Sequence, residues 1–423
     1  MKNQKKVIIT GLTIWFTSLL FYVFECFLRV FPNTISDNLM NAFHINAEEY
    51  SYIGSFYFIS YALMQIPIGL LINKFGVRKL LILASFTCSL SVFWFALSNS
   101  FISILFSRLL MGFASSFAFI SLLALALNWL PKKHFAFFSG FSQFIGSLGP
   151  FLAGAPFAFL LQKMYNNWHL IFLYLGIVSI VITFLIMFFV KNKPRLKNQI
   201  IFLETPKSLK TELIYIIKNK QIWWVILYTC FIYVSMPILG TYWGVLFLQN
   251  KNFDKATSAF LISLIWIGYA IASPIIGKIS DMIKRRILPI AISAFIGTSA
   301  SLLLLYYPTH NNIFLIILFF SIGVASSGQA LSFALARENV RSHAQTTIFG
   351  LTNMLLMISA AIIPAFIGAI IHQEHHSSHL NYMPSDFIKG LTFMPILYFL
   401  AFLISIFCIK ETFCRSQHEI YRS

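Results

Sequence analysis

Long apolar runs separated by short polar turns follow one another along almost the whole chain. A helix that crosses the hydrocarbon core of a membrane needs about 20 residues, each adding about 1.5 Å. The runs have this length and do not alternate with period two, so they predict membrane-spanning helices rather than the strands of a barrel. The pattern predicts twelve such segments, at about residues 8–31, 51–72, 80–98, 101–129, 135–161, 168–190, 222–249, 257–279, 288–307, 312–335, 344–371 and 387–409.

One long polar stretch, residues 191–220, interrupts this pattern and divides it six plus six. It predicts an N-terminal six-helix bundle at 1–190, a cytoplasmic linker at 191–220, and a C-terminal six-helix bundle with a short tail at 221–423. The expected fold class is therefore an all-α polytopic membrane protein.

Short sequences of the first half recur in the second half, one set 208 positions later and another 210 positions later. Because polar as well as apolar positions match, we interpret them as a duplication rather than as chance similarity between hydrophobic helices. Parallel repeats in an apolar chain are typical of transporters with a site near the membrane midplane. The first set pairs Tyr61, Gly69, Asn73 and Arg78 with Tyr269, Gly277, Asp281 and Arg286, and the second pairs Gly140-Phe141-Ser142-Gln143 with Gly350-Leu351-Thr352-Asn353.

Composition and charge support the membrane interpretation. Apolar residues fill 58% of the 423 positions and charged residues only 10%, against about 25% charged in a soluble domain. With the N-terminus inside, 25 of the 31 Lys and Arg residues fall on the cytoplasmic side, which predicts that both termini are cytoplasmic. The net charge of +18 then reflects loops that face anionic lipid, and no nucleic-acid partner is expected. The five cysteines form neither a disulfide nor a zinc pattern.

The turn between the second and third segments reads Gly69-xxx-Asn73-Lys74-x-Gly76-x-Arg78-Lys79. It resembles the signature loop of the major facilitator superfamily, which has an acid where this chain has Asn73. The copy in the second half, Gly277-xxx-Asp281-Met282-Ile283-Lys284-Arg285-Arg286, keeps the acid. The resemblance implies a cytoplasmic gate that the acid latches, with the glycine allowing close helix packing and with a weaker latch at Asn73. A basic turn that only sets the topology is the alternative.

Three charged residues lie well inside predicted spans: Glu25 and Arg29 in the first span and Arg108 in the fourth. A charge in the hydrocarbon costs at least about 2.5–3.5 kcal/mol, so such residues usually face a polar cavity or a partner. Tyr22, Glu25 and Arg29 share one helix face, and Glu25 and Arg108 lie at similar depths, so a Glu25–Arg108 ion pair is feasible. Two cations and one anion favour a solute with an anionic group, which the arginine fork suits.

The family resemblance adds roles for these charges. Arg29 lies where members that carry organic phosphates and organic anions hold a substrate arginine, and Arg108-xxx-Gly112 resembles a helix-4 motif linked to proton coupling. We therefore expect Arg29 to bind the anion, and Glu25 either to take up a proton or to meet a substrate amine. Snorkelling of Arg29 to the headgroups and a purely structural role of Arg108 are the alternatives.

Polar and aromatic side chains of other spans complete the predicted substrate-binding and coupling set. For any one of them, helix packing is the alternative role. A histidine cluster before the last span could bind a metal or sense pH, but it implies no fixed ligand geometry, and we expect neither a metal nor a cofactor. The first group is Tyr57, Tyr61, Gln65, Gln143, Tyr242, Trp243, Gln329 and Asn353, and the histidines are His372, His375, His376 and His379.

The sequence contains no nucleophile–base constellation and no phosphate-binding loop, so we do not expect an enzyme. The expected function is a secondary transporter in the bacterial inner membrane that moves a small polar anion or zwitterion by alternating access. The proton is the candidate coupling ion, and the monomer is the expected functional unit. The chain resembles nutrient carriers of the phagosomal amino-acid transporter type, with dipeptide carriers as a further branch. A drug or metabolite exporter, favoured by the partial helix-5 motif at residues 146–150, and a non-transporting membrane scaffold are the alternatives.

Overall fold

The computed structural model describes residues 2–130, 135–192, 215–307, 311–341, 345–374 and 383–415. Within these ranges it describes the backbone alone at residues 2–8, 69, 70, 73, 127, 135–137, 139, 140, 345, 346 and 374. The described residues form helices and short connections, with no strand among them.

The helices before the linker are α1 (Lys2–Val30), a 3-10 turn (Phe31–Ile35), α2 (Ser36–Phe43), α3 (Ala47–Met64), α4 (Pro67–Phe75), α5 (Val77–Ala96), α6 (Phe101–Ser115), α7 (Phe117–Trp129), α8 (Phe135–Gly146), α9 (Leu148–Ala153), α10 (Ala155–Lys163) and α11 (Trp168–Phe189). The helices after it are α12 (Lys220–Ile232), α13 (Ser235–Pro237), a π-helix (Ile238–Trp243), α14 (Gly244–Asn250), α15 (Lys255–Ile283), α16 (Ile287–Tyr306), α17 (Asn312–Ser326), α18 (Gly328–Glu338), α19 (Gln345–Glu374), α20 (Pro384–Leu391) and α21 (Phe393–Phe407).

Eleven helical stretches in the described ranges are long and apolar enough to cross a membrane, and each overlaps a predicted segment, although the first, Ile9–Phe43, continues well past the predicted end at residue 31. The remaining predicted segment, residues 51–72, corresponds to α3 and α4. A turn at Gln65 and Ile66 separates these two helices. Pro67 begins α4, where a residue without an N–H is tolerated, and this breaks the long helix in two. The all-helical membrane fold expected from the sequence is confirmed.

Polar residues fix where several helices begin. Each accepts a hydrogen bond from a backbone N–H in the first turn, which satisfies one of the donors that a helix start leaves open. These N-cap residues are Ser100, Asn167, Asn219, Asp254 and Asn311.

Contacts divide the chain into two compact units: Met1–Ile45 with Tyr52–Phe202, and Asn46–Ser51 with Leu203–Ser423. The outer faces of their helices carry large apolar side chains, as on α11, where Ile177, Val181, Phe184 and Phe188 form one exposed stripe. Lipid solvates such a stripe, whereas water would not. The chain is therefore an integral membrane protein.

Candidate functional site

An ion pair lies at the centre of the first unit, on α1. The Arg29 Nη2 atom lies 3.0 Å from both Glu25 carboxylate oxygens, four residues earlier on the helix. The Glu25 side chain is fully buried, and that of Arg29 is 12% exposed. The predicted helix face is thus real, and its two charges neutralise each other within one turn.

Two tyrosines of α3 complete this charged pair. The Tyr57 hydroxyl donates to Glu25 Oε2 at 3.2 Å, and the Arg29 guanidinium lies 4.9 Å above the centre of the Tyr61 ring. The two rings stack on each other with centroids 6.1 Å apart. The structure therefore brings together four residues of the predicted set, although their role in transport stays a prediction.

Arg108 of α6 is fully buried but does not pair with Glu25 as its depth had suggested. Its Nη1 donates to the Leu28 carbonyl at 2.7 Å, and its Nε donates to the Ile53 carbonyl at 3.1 Å. The expectation of a Glu25–Arg108 ion pair is wrong, because Arg29, one turn along the same helix, already neutralises the carboxylate. Arg108 instead links the backbones of α1 and α3.

Two aromatic rings lie against the Arg108 guanidinium. Phe31 lies 5.1 Å away and Tyr57 lies 4.5 Å away, distances at which a cation is attracted to the ring face. Packing explains why the helix-4 motif has a glycine at position 112: a Cβ there would lie 2.1 Å from the Tyr57 carbonyl oxygen. The motif thus lets α6 approach α3 closely, at the residue whose hydroxyl donates to Glu25.

Tyr22 and Gln143 also meet in the first unit. The Tyr22 hydroxyl donates to Gln143 Oε1 at 2.5 Å, which joins α1 to α8. Gln65 lies in the turn between α3 and α4, and its Nε2 donates to the Tyr61 carbonyl at 3.4 Å. Two residues of the predicted set, Tyr22 and Gln143, thus contact each other across helices. The bond from Gln65 to Tyr61 joins residues only four positions apart.

The predicted residues of the second unit lie on the π-helix, on α18 and on α19. Trp243 is fully buried, and its Nε1 donates to the Pro364 carbonyl at 3.1 Å. Tyr242 is 1% exposed and lies in the π-helix, while Asn353 is half-buried on α19. Gln329 of α18 accepts a hydrogen bond from the Tyr269 hydroxyl at 2.8 Å. Sequence reasoning did not assign Tyr269 to the site, although its repeat mate Tyr61 offered the signal.

The first loop motif is only partly described. Only the backbone is described at Gly69 and Asn73, whereas Lys74 and Lys79 are exposed. Gly76 has φ +81°, a conformation that glycine adopts without strain. Arg78 donates from Nη2 to the Met187 carbonyl at 2.9 Å and from its backbone N–H to Asn192 Oδ1 at 3.1 Å.

The second loop motif holds a charged cluster. Arg286 Nη1 lies 2.8 Å from Asp281 Oδ1, and its Nη2 lies 2.8 Å from Glu338 Oε1. Burial lowers the pKa of Arg286, but the bonds to Glu338 and Asp281 outweigh it, so the pKa lies above its usual value. Arg285 is exposed, and a Cβ at Gly277 would meet nothing within 4 Å. The close packing expected at Gly277 is therefore not observed among the described residues.

The C-terminal segment adds two residues to this cluster that the sequence did not reveal. Glu411 accepts the backbone N–H of Arg286 at 2.8 Å and that of Ile287 at 3.0 Å, and the Thr412 hydroxyl donates to Glu338. Asn192 after α11 and Glu411 after α21 thus accept the N–H of the repeat-related arginines. A polar side chain soon after the end of a span was the sequence feature that could have indicated these two contacts.

No group of three or more potential metal ligands occurs in the described ranges. His372 Nδ1 is buried and has no hydrogen-bond partner there. The other histidines of the predicted cluster, His375, His376 and His379, lie outside the described residues.

The comparisons with known proteins agree with this architecture. The model of the Major Facilitator Superfamily matches residues 14–364, and the chain belongs to this family of membrane transporters. It is a transporter and not an enzyme. Among its relatives is the "Uncharacterized transporter YybO" of Bacillus subtilis, 22% identical over 92% of this chain and 95% of that protein.

Two further similarities are limited in different ways, one in the length that it covers and the other in sequence identity. The "Probable galactarate/D-glucarate transporter GarP" of Escherichia coli K12 is 29% identical, over 33% of this chain and 32% of that protein. A bacterial homologue of the human lysosomal transporter Spinster, solved inward-facing and unoccupied, has a TM-score of 0.75 and 15% identity, covering 94% of this chain and 97% of that one. At this identity the likeness shows the fold alone.

Proposed function

We propose that this chain is a secondary transporter of the bacterial inner membrane that moves a small organic anion by alternating access. The observation that carries the proposal is the Arg29 guanidinium, which is buried beside Glu25 while its Nε has no acceptor in the described part of the chain. A carboxylate oxygen would supply that acceptor, and a buried donor without one is costly.

The hydrogen-bond acceptors of the same site favour an anion over a zwitterion. Both carboxylate oxygens of Glu25 accept a hydrogen bond from Arg29 Nη2. Oε2 also accepts one from the Tyr57 hydroxyl, and Oε1 accepts one from the Cys26 thiol. An ammonium group needs a free acceptor, so Glu25 is poorly suited to meet a substrate amine in this state. A sugar-acid transporter among the partial relatives is consistent with an organic anion.

Proton coupling follows from competition for Arg29. A solute carboxylate that binds Arg29 weakens its bond to Glu25, and a buried carboxylate without its cation favours the protonated form. Uptake of the anion would then bring in a proton on Glu25. Asp281, Arg286 and Glu338 would latch the cytoplasmic gate of the second bundle, and both termini would lie in the cytoplasm.

We further propose bundles at 1–190 and 221–423 joined by a linker at 191–220, working as a monomer. Purified protein in liposomes tests the function, with labelled organic anions, amino acids and dipeptides outside and a pH gradient that is either imposed or collapsed. Gradient-driven accumulation of organic anions supports the proposal, whereas amino-acid or dipeptide uptake alone contradicts the choice of an anion. Movement of drugs out of cells with no anion uptake would favour an exporter.

A further inference from the structure

The arginines of the two loop motifs, Arg78 and Arg286, occupy repeat-related positions but have different partners. The Arg286 guanidinium binds the carboxylates of Asp281 and Glu338, each at 2.8 Å. Its backbone N–H donates to a third carboxylate, that of Glu411, at 2.8 Å. In the second unit, acids of the chain itself therefore compensate the arginine and the start of α16.

The bonds of Arg78 in the described part of the chain go to neutral groups. Its Nη2 donates to the Met187 carbonyl at 2.9 Å, and its backbone N–H donates to the amide oxygen of Asn192 at 3.1 Å. Its Nε atom is buried and has no hydrogen-bond partner among the described residues. Since a buried donor without an acceptor is costly, this guanidinium has bonding capacity for an anion.

The sequence around the first motif offers no acid that could fill this role. Positions 50–203, which include all of α4, α5 and α11, contain neither aspartate nor glutamate. Asn73 stands where the second copy has Asp281. The neighbouring cations Lys74 and Lys79 are exposed. Basic side chains that no nearby carboxylate compensates create a positive potential, which attracts anions.

The start of α5 adds to this potential. Its N-cap residue, Gly76, has no side chain that could accept from the first turn. The neutral amide of Asn192 accepts one backbone N–H there, whereas at α16 the carboxylate of Glu411 accepts two. A helix start favours negative charge, and an arginine beside it matches the oxygens of a phosphate group.

We propose that the first loop motif is a binding site for a phosphate group, whose oxygens Arg78, Lys74 and Lys79 bind at the start of α5. The bound group supplies the negative charge that Asp281 and Glu411 supply in the second unit. It belongs to inorganic phosphate or to the head group of an anionic phospholipid, because both present the same oxygens to a loop at the membrane surface. The inference does not depend on which solute is transported.

Unfolding temperatures of the full chain in an uncharged maltoside detergent test the site. One series compares phosphate with chloride at equal ionic strength, and a second compares phosphatidylglycerol with phosphatidylcholine. A ligand that binds the folded state should raise the unfolding temperature saturably, and the series in which this occurs identifies the source of the phosphate group. Arg78→Met should weaken the apparent affinity by at least about tenfold, as expected for the loss of a charge-assisted hydrogen bond.

Two further variants make the outcome decisive. Asn73→Asp restores a carboxylate at the position of Asp281, so it should unfold at a higher temperature than wild type in chloride and lose most of the response to the anion. Arg285→Met removes an exposed cation from the second motif and should respond as wild type does. A wild type with no saturable response in either series overturns the site. A full wild-type response in Arg78→Met, or in Asn73→Asp if Arg78→Met does not fold, also overturns it.

Discussion

Arg29 and Glu25 form an ion pair in which one guanidinium nitrogen lies 3.0 Å from both carboxylate oxygens. Both residues are on α1, so the pair needs no second helix to form. Arg29 keeps its Nε without an acceptor in the described residues, and this leaves the arginine able to bind a second anion. Under the proposed function, the pair would couple solute binding to the protonation of Glu25.

Replacing Glu25 by glutamine should uncouple transport from the proton gradient. The amide keeps the size and a hydrogen-bonding oxygen but cannot take up a proton. We expect exchange of internal for external solute to persist, while accumulation driven by a pH gradient falls to the level without a gradient. Counterflow and gradient-driven uptake in the same liposomes measure the two rates. Wild-type accumulation by Glu25→Gln would remove Glu25 from the coupling step.

Arg108 should matter for stability through the two carbonyl groups that it binds. Arg108→Met keeps the apolar stem but leaves the Leu28 and Ile53 carbonyls without this donor, at a cost of about 1–3 kcal/mol each. Arg108→Lys retains the charge and some of the bonding, so it should lose less. Thermal unfolding in detergent measures the order wild type, Lys, Met. If the methionine variant is as stable as wild type, the linking role is wrong.

Two motif glycines, Gly112 of the helix-4 motif and Gly277 of the second loop motif, should respond differently to alanine. A Cβ at Gly112 would lie 2.1 Å from a backbone oxygen of Tyr57, so Gly112→Ala must push α6 away from α3 and destabilise the first unit. A Cβ at Gly277 meets nothing within 4 Å, and Gly277→Ala should be neutral or slightly stabilising. Unfolding temperatures of the two variants give the comparison, and equal losses would contradict it.

Arg286 and Arg285 are adjacent, but only Arg286 is buried in an acidic cluster. Removing one partner of a buried ion pair costs about 3–5 kcal/mol, whereas exposed substitutions usually stay within about 0.5 kcal/mol. We expect Arg286→Met to lower the unfolding temperature markedly and Arg285→Met to leave it unchanged. Glu338→Gln in the Arg286→Met background should restore part of the loss, because it removes the unpaired acid. A similar effect of both single arginine variants would exclude the specific pairing.

The sequence predicted the spans well because lipid imposes a length and an apolar composition that can be read directly. It predicted that Tyr22, Glu25 and Arg29 share a face, since helical periodicity fixes that relation. It could not decide which cation pairs with Glu25, because equal depth does not fix the direction of a side chain. Arg108 could satisfy its donors with backbone carbonyls, and these leave no trace in the sequence. Likewise, Glu411 reaches Arg286 only through the path of the chain after α21.

The most direct test of the central claim compares organic-anion uptake by wild type, Arg29→Lys and the double variant Glu25→Gln with Arg29→Gln. The double variant removes the buried pair without leaving an unpaired charge, so it should fold with an unfolding temperature near that of wild type. Binding through the guanidinium predicts that Arg29→Lys transports weakly, because lysine lacks the planar fork, and that the folded double variant transports no anion. Wild-type anion uptake by the folded double variant would contradict the account.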